Sequence, residues 1–198
     1  MARKSKTPPP DTIWETPDDL WHALELIRDE HYPKKPTGRP RANLRQVLDA
    51  IVFRMRSGCQ CNKLRERYGS DSTAHRRFQR FCQDGIFASL WGLLVETCDD
   101  LAGVYWDWQS ADGRLGKARY GGKKVGKNPT ARGKPGTKTS LLVDEQSGPL
   151  GVVIDAANVP DGKLLEATIE AVVVERPQPT AESPQHVCLD KDYDNPTG

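Results

Sequence analysis

The sequence predicts an α+β protein in which an all-α N-terminal domain is followed by an α/β domain. As far as Leu101, apolar residues recur with the 3.6-residue period of helices, and glycine or proline separates the helical segments. From Val104 onward, short apolar runs of strand character are bounded by turn residues and interrupted by a single helical pattern. We therefore expect a disordered, proline-rich arm at residues 1–15, a helical domain at 16–101 and an α/β domain at 102–198.

The first two helices are marked by their ends and by one apolar face each. Thr16-Pro17-Asp18-Asp19 predicts a helix start, with a hydroxyl at the N-cap, proline at the first helical position and acids facing the helix dipole. A basic connector from His31 to Arg41, which contains three prolines, follows that helix. The second helix runs from about Asn43 to Arg56, because its apolar residues keep the helical period, and Ser57-Gly58 ends it.

Residues 62–82 predict a short helix, a turn and a longer basic helix. The short helix covers Asn62 to Tyr68, and Ser70 caps the next helix, which ends at Cys82. The inward residues of that helix are expected to be Ala74, Phe78, Phe81 and Cys82, and its basic face to be His75, Arg76, Arg77 and Arg80. This layout is typical of a helix-turn-helix module, whose last helix enters the major groove of DNA. The alternative is a three-helix bundle whose arginines lie in water.

The second half of the chain follows a different order of elements. A packing helix from about Ile86 to Leu101 completes the helical domain. Strands are then expected at residues 104–111, 139–143 and 150–156, followed by a helix that Asp161-Gly162 opens and by a fourth strand at 187–189. Three strands that pair as a meander, a crossover helix and one more strand match the opening of a ribonuclease-H-like fold. The sequence predicts only the N-terminal, incomplete part of such a domain.

Charge is segregated along the chain although the net charge of the 198 residues is only +2. Thirteen bases face three acids between Lys34 and Arg80, and nine bases occur without any acid between Arg114 and Lys138. After Leu141, eleven acids face three bases. Basic blocks of this kind favour contact with nucleic acid, and the alternative is a solvated surface.

Two aspartates are candidates for metal binding because of where they lie along the predicted strands. Asp112 closes the strand that begins near Val104, and Asp190 follows the fourth strand. Carboxylates at strand ends can hold divalent cations beside a polyanionic substrate, and oxygen ligands favour Mg²⁺ or Mn²⁺ over zinc. The alternative is that each aspartate forms a turn or caps a helix.

Five cysteines without framework spacing, no secretory segment and no membrane-length apolar run predict a reduced, cytoplasmic protein without a membrane partner. A zinc site built from Cys59, Cys61, His75 and Cys82 is a further alternative, although the spacing fits no common zinc template. Small core residues are the default interpretation of these cysteines.

Several short motifs carry a resemblance to a known family. They are Gly38-Arg39-Pro40-Arg41, Arg45 to Ile51, Arg56 to Cys59, Glu66-Arg67-Tyr68-Gly69 and Arg76-Arg77-Phe78 in the first half, and Asp112-Gly113, Gly133 to Thr139, Val143-Asp144 and Asp190 to Asp194 in the second. With these motifs the chain resembles, from about Asp18 onward, bacterial insertion-sequence transposases of the IS-five group, which are DDE enzymes.

This resemblance implies an activity, a cofactor and a set of site residues. Metal-dependent cleavage at the ends of a mobile element and strand transfer into target DNA would be carried out with Mg²⁺ or Mn²⁺. Asp112 and Asp190 would be the catalytic, metal-binding acids. Double-stranded DNA would be the partner, bound by a homo-oligomer associated with the nucleoid. The residues expected to contact DNA phosphates are Arg39, Arg41, Arg76, Arg77, Arg80, Lys123 and Lys124.

The third acid of the family, a glutamate on a later helix, has no counterpart before Gly198. The sequence is therefore expected to be a fragment, a degenerate copy or one reading frame of a split element. The alternative function is a catalytically inactive DNA-binding remnant or repressor of transposition. The basic, glycine-rich insert between Arg114 and Lys138 is expected to lie along DNA and to become ordered only when DNA binds.

Overall fold

The structure is a computed structural model that describes residues 14–33, 37, 42–119 and 121–193, without the side chains of residues 61, 98–102 and 192. Arg39 and Arg41, two of the expected DNA contacts, lie outside the described residues. The chain divides into two compact units, residues 1–90 and 91–198. The protein is α+β, as the sequence predicts: helices precede a mixed sheet.

The first unit contains α1 (Asp18–His31), α2 (Leu44–Ser57), α3 (Asp71–Gln83) and the start of α4 (Ile86–Ala102). Two 3₁₀ turns, Cys61–Lys63 and Glu66–Tyr68, replace the single short helix expected between α2 and α3. Apolar residues of these elements form its core, with Leu24, Ile27, Val47, Leu48, Ala50, Ile51, Tyr68, Ala74, Phe81, Ile86 and Leu90 buried.

The helix ends agree with the sequence in two places and differ in a third. Asn43 caps α2 by accepting from the backbone N–H of Gln46, and Ser70 caps α3 by accepting from that of Thr73. Thr16 is not the cap of α1, because Pro17 takes that position and the N–H of Thr16 donates to Asp49 Oδ1 at 2.8 Å. The expectation that Cys82 faces the core is also wrong: its side chain is exposed.

The second unit is built on a five-stranded sheet, β1 (Trp108–Lys117), β2 (Gly126–Lys127), β3 (Pro135–Asp144), β4 (Pro149–Ala156) and β5 (His186–Cys188), with α5 (Gly162–Glu170) before the last strand. β3 is central: β1 pairs with it antiparallel on one side, and β2 and β4 pair with it antiparallel on the other. β5 pairs with β1 in parallel. This arrangement is compatible with the meander, helix and parallel strand expected from the sequence.

β1 differs from its predicted span and changes the position of Asp112. Its antiparallel pairing with β3 runs without a break from Gln109, opposite Asp144, to Lys117, opposite Gly136. The strand therefore begins later than Val104 and continues beyond Ala111, because β3 supplies backbone partners along its whole length. Asp112 lies in the middle of β1 and not at its end, which corrects the expectation.

The two faces of the sheet differ in burial. Side chains alternate along a strand, so Ala111 of β1 and Leu142 of β3, which are opposite one another, share the covered face. They form a core with Val95 and Leu150, against which Trp91, Leu165 and Val187 are among the partly buried packing residues. The remaining face of β1 is exposed. None of the helices in the described part of the chain is long and apolar enough to cross a membrane.

Candidate functional site

The parallel register of β1 and β5 brings Asp112 and Asp190 to matching positions along the two strands. Trp108 is opposite His186, and Ser110 is opposite Cys188, the last residue of β5. Asp112 lies two residues beyond Ser110, and Asp190 lies two residues beyond Cys188. Neighbouring strands are about 4.8 Å apart, so the two carboxylates start from adjacent backbones.

Both aspartates lie on the exposed face of the sheet. Asp112 is exposed, whereas its neighbour Ala111 is buried, and the exposed His186 and Cys188 alternate with the partly buried Val187. Asp190 continues this exposed phase. Val187 is partly buried against the core, so His186 and Cys188, which alternate with it, lie on the face where Asp112 emerges.

A backbone N–H orients the carboxylate of Asp112, and a tight turn follows Asp190. The N–H of Gly113 donates to Asp112 Oδ1 at 2.7 Å, which fixes the carboxylate against its own strand. After Asp190 the chain forms a 3₁₀ turn, Lys191–Tyr193, in which the N–H of Tyr193 donates to the carbonyl oxygen of Asp190 at 3.3 Å. The turn carries the Tyr193 side chain back toward the sheet.

Tyr193 is surrounded by carboxylates. Burial raises the pKa of its phenol above 10.0, and the negative charges of Asp161, Asp112 and Asp190 raise it further. The Ser140 side chain acts in the opposite direction and lowers that pKa. One phenol is thus within electrostatic reach of three acids.

A buried ion pair lies below this region. Lys138 Nζ is 2.5 Å from Asp161 Oδ2, and the two side chains are only 9% and 18% exposed. A Cβ atom added to Gly113 would be 1.7 Å from Asp161 Oδ1, so the carboxylate lies directly against the residue that follows Asp112. Only glycine at position 113 leaves room for this approach.

Lys138 and Asp161 were not predicted as members of the site. Asp161 was interpreted as part of a helix start, but its side chain makes no capping hydrogen bond to α5. The available signal was the position of Lys138 in the buried phase of β3, which also contains Ser140 and Leu142. A lysine in that phase requires an acidic partner, since a buried charge is costly unless it is paired.

The donors present fit a hard divalent cation. Mg²⁺ is commonly held by one or two carboxylates, with water and substrate phosphate oxygens completing its coordination, and two exposed aspartates on one sheet face supply that donor set. Among the described residues, no three His, Cys, Asp or Glu side chains are grouped to hold a metal, including the described members of the possible zinc site, Cys59, His75 and Cys82.

The arginine side chains on the basic face of α3 lie in different environments. Arg76, Arg77 and Arg80 line a shallow surface pocket together with Thr73. Arg80 is engaged within the protein: its Nε is 3.2 Å from Asp84 Oδ2, and its guanidinium lies over the Tyr32 ring. The hydrogen bond with Tyr32, which has the larger effect, and the hydrogen bond with Asp84 both raise the pKa of Arg80. Arg76 and Arg77 have no such acidic partner among the ion pairs of the described residues.

The basic insert between β1 and β3 is structured in its second half. Gly126 and Lys127 pair with β3, Asn128 is buried, and a 3₁₀ turn follows at Pro129–Ala131. The expectation that the insert is ordered only with DNA therefore does not hold for these residues. Lys123 and Lys124 lie just before this part and are exposed.

Comparison with known proteins supports the family resemblance in the first unit. Residues 17–91 match the model of a family described as "Putative transposase of IS4/5 family". The helical unit is similar to insertion-sequence transposases. The chain is also 34% identical over 79 residues to the "Putative transposase for insertion sequence element IS402" of Burkholderia cepacia. These aligned residues make up 39% of this chain and 37% of that protein. No solved structure matches the chain.

The family match ends where the sheet unit begins. It covers α1 to α3 and the first part of α4, and Asp112 and Asp190 lie beyond it. The chain spans little more than a third of the length of the curated relative it matches. For the sheet unit, only the geometry of the fold bears on the roles of these acids.

Proposed function

We propose that this chain is a DNA transposase, or part of one, that binds the ends of an insertion sequence and takes part in metal-dependent cleavage and strand transfer. The observation that supports the proposal is the parallel register of β1 and β5, which aligns the positions of the exposed Asp112 and Asp190 along the two strands. The match of the helical unit to transposases supplies the biological context.

The chemistry assigned to the two aspartates is that of a divalent-metal site. Two carboxylates on adjacent backbones repel one another and gain stability from a cation between them. Bound Mg²⁺ or Mn²⁺ would activate the attacking oxygen and neutralise charge at the scissile phosphate. Asp112 and Asp190 would hold that cation, and the hydrogen bond from the Gly113 N–H would keep Asp112 oriented.

The sheet topology also favours a ribonuclease-H-like domain for this half. β1, β3 and β4 form an antiparallel meander, and β5 returns after α5 to lie parallel to β1. This connection places one acid in the middle of the first strand and the other just past the last.

DNA binding is assigned to the exposed bases of α3 and the insert. Ser70 caps α3, and Arg76 and Arg77 lie on its surface beside the shallow pocket. Lys123 and Lys124 are exposed within the insert that joins β1 to β3. Arginine and lysine side chains bind phosphate oxygens and position a protein on DNA without specifying its sequence.

A second candidate is a DNA-binding protein that occupies element ends without cutting them. The observation in its favour is that no three His, Cys, Asp or Glu side chains of the described residues are grouped to hold a metal. A pair of carboxylates binds a divalent cation less firmly than a larger oxygen-ligand set does.

Supercoiled plasmid incubated with the full chain and Mg²⁺ or Mn²⁺ separates the two candidates. If the chain is a transposase, it should nick the plasmid, and Asp112→Asn or Asp190→Asn should abolish the nicking. Asp107→Asn is the matched control, because Asp107 is an exposed acid that precedes β1 and lies outside the pair. Retarded migration of DNA without nicking would support the binding protein instead.

A further inference from the structure

Two buried polar atoms near the paired acids, the hydroxyl of Tyr193 and Oδ1 of Asp161, make no hydrogen bond of normal geometry. The Ser140 side chain lies close enough to that hydroxyl to act on its pKa as a hydrogen-bond donor, so the hydroxyl proton itself is left without an acceptor. The hydroxyl is a donor and Oδ1 is an acceptor, and the carboxylate charge of Asp161 is the strongest of those that act on the phenol. Buried polar groups are almost always satisfied by a protein group or by an ordered water.

Asp161 is fixed from two sides, so it can serve as an anchor. Its Oδ2 is held at 2.5 Å by the buried Lys138 ammonium of β3. Its Oδ1 lies against Gly113 of β1. The carboxylate is therefore attached to two central strands of the sheet, one of which also carries Asp112.

Tyr193 belongs to the segment that carries Asp190. β5 ends at Cys188, so Asp190 lies beyond the paired part of that strand. The Lys191–Tyr193 turn follows immediately, and in it the N–H of Tyr193 donates to the carbonyl oxygen of Asp190. This hydrogen bond couples the position of Tyr193 to that of Asp190. The side chain of Tyr193 is thus placed to fix the direction in which the chain leaves β5.

We propose that Tyr193 is a positioning residue for the paired acids. Its hydroxyl donates to Asp161 Oδ1 through one buried water, and this link holds Asp190 at the separation from Asp112 that a shared cation requires. The Lys138–Asp161 ion pair is the rigid end of the link. The inference rests on the proposed metal site, and it adds a residue that does not itself touch the metal.

A purely structural role for Tyr193 makes a different prediction. If only its ring mattered, phenylalanine would replace it without consequence, because the two side chains have nearly the same shape. Tyr193→Phe removes the donor and keeps the packing, so it isolates the hydroxyl. Tyr105→Phe is the matched control, since Tyr105 belongs to the same unit and is exposed.

The first test measures Mn²⁺ binding to the full chain by electron paramagnetic resonance. Removal of a group that orients a ligand typically weakens metal binding about 10-fold or more, so Tyr193→Phe should bind Mn²⁺ about 10-fold more weakly. Tyr105→Phe should bind it as the unmodified chain does, and both variants should keep cooperative thermal unfolding. Equal affinity of Tyr193→Phe and the unmodified chain would overturn the inference.

The second test measures the separation of the acids without metal. Asp112→Cys and Asp190→Cys are combined in a Cys188→Ser background, and disulfide formation in a glutathione buffer is followed by mass spectrometry. Backbones on neighbouring strands are within bridging distance. The bridge should form readily with Tyr193 and more slowly with Tyr193→Phe. An unchanged rate would contradict the positioning role.

The outcomes also separate this inference from the proposed function. If Asp112→Asn and Asp190→Asn leave Mn²⁺ binding unchanged, the metal site itself is wrong, whatever Tyr193 does. If both acids are needed for Mn²⁺ but Tyr193→Phe changes neither affinity nor bridging, only the positioning role fails. Should Tyr193→Phe not fold, proton exchange in the unmodified chain decides: a slowly exchanging Tyr193 hydroxyl supports the link, and rapid exchange opposes it.

Discussion

The two units place their polar groups in opposite ways. The helical unit buries apolar side chains and keeps the arginines of α3 at its surface. The sheet unit contains all but one of the buried polar and charged residues among those described, the exception being Thr16; they are Gln109, Asn128, Lys138, Ser140, Asp144 and Thr168. Surface charges of the first unit can be changed with little effect on folding, whereas charges beneath the sheet are part of its core.

This difference teaches how binding and chemistry can be separated experimentally. Substitutions on α3 should alter DNA affinity and leave the fold intact. Substitutions below the exposed acids should alter both folding and the geometry of the site. In the sheet unit, substitution of the exposed Asp112 and Asp190 should cost little folding stability, because exposed side chains outside buried polar networks tolerate change.

The largest effect is expected from the paired acids. Asp112→Asn or Asp190→Asn should reduce metal-dependent DNA cleavage about 1,000-fold, because metal stabilisation of a transition state is worth several kcal/mol. DNA binding without metal should not fall, because removing a negative charge cannot weaken attraction to phosphate. Plasmid nicking and gel retardation measure the two quantities, and a variant in which both fell together would break the division between units.

Crowding of the Lys138–Asp161 pair should destabilise the sheet unit. Gly113→Ala introduces a methyl group into the space of Asp161 Oδ1, and overpacking of this kind costs about 1–3 kcal/mol of unfolding free energy. Gly116→Ala on the same strand is the control, since the atom nearest to its new methyl group would be Thr137 Oγ1 at 3.3 Å. Denaturant unfolding measures both, and equal stability of the two variants would show that Asp161 can move at no cost.

Removal of surface bases from α3 should weaken DNA binding through electrostatics alone. The combined variant Arg76→Ala, Arg77→Ala should lower the slope of log affinity against log salt by about 2, roughly one for each phosphate that is no longer neutralised. Arg80→Ala should change the slope less, because Arg80 is already paired with Asp84. Fluorescence anisotropy at several salt concentrations provides the slopes, and identical slopes for all variants would exclude this face from the DNA interface.

The smallest effect concerns the acid stability of the helical unit. Tyr32 donates to Asp84, and this hydrogen bond, with the nearby Arg80, lowers the pKa of the Asp84 carboxyl below 3.8. The resulting stability is present above pH 3.8 and disappears as the pH falls through the lower folded pKa. Tyr32→Phe should therefore be less stable at neutral pH and converge with the unmodified chain in acid. Thermal unfolding followed by circular dichroism at several pH values measures the two stabilities. A stability difference that stays constant from neutral to acid pH would contradict the prediction.

Much of the fold could be predicted from local sequence signals. The apolar period of α2 and α3 and the cap Ser70 indicated the helices, because helix starts depend on side chains within a few residues. The predicted span of β1 was wrong, since a strand continues for as long as its partner offers backbone groups. Lys117 pairs with Gly136, and nothing near Lys117 in the sequence signals that pairing.

The candidate site was predictable only in part, for a similar reason. Asp112 and Asp190 were found because each follows or interrupts an apolar run. Their adjacency depends on the parallel pairing of Ser110 with Cys188, which joins residues far apart in the chain. The Lys138–Asp161 pair, 23 residues apart, had no local signal except a lysine in a buried strand phase.

Manganese binding to the full chain, measured for the unmodified protein, Asp112→Asn, Asp190→Asn and the double variant, tests the account most directly. If the two carboxylates share one cation, each single substitution should reduce the affinity nearly as much as both together, because partners in one site are strongly non-additive. Two independent, additive reductions, or binding that survives in the double variant, would contradict the shared site.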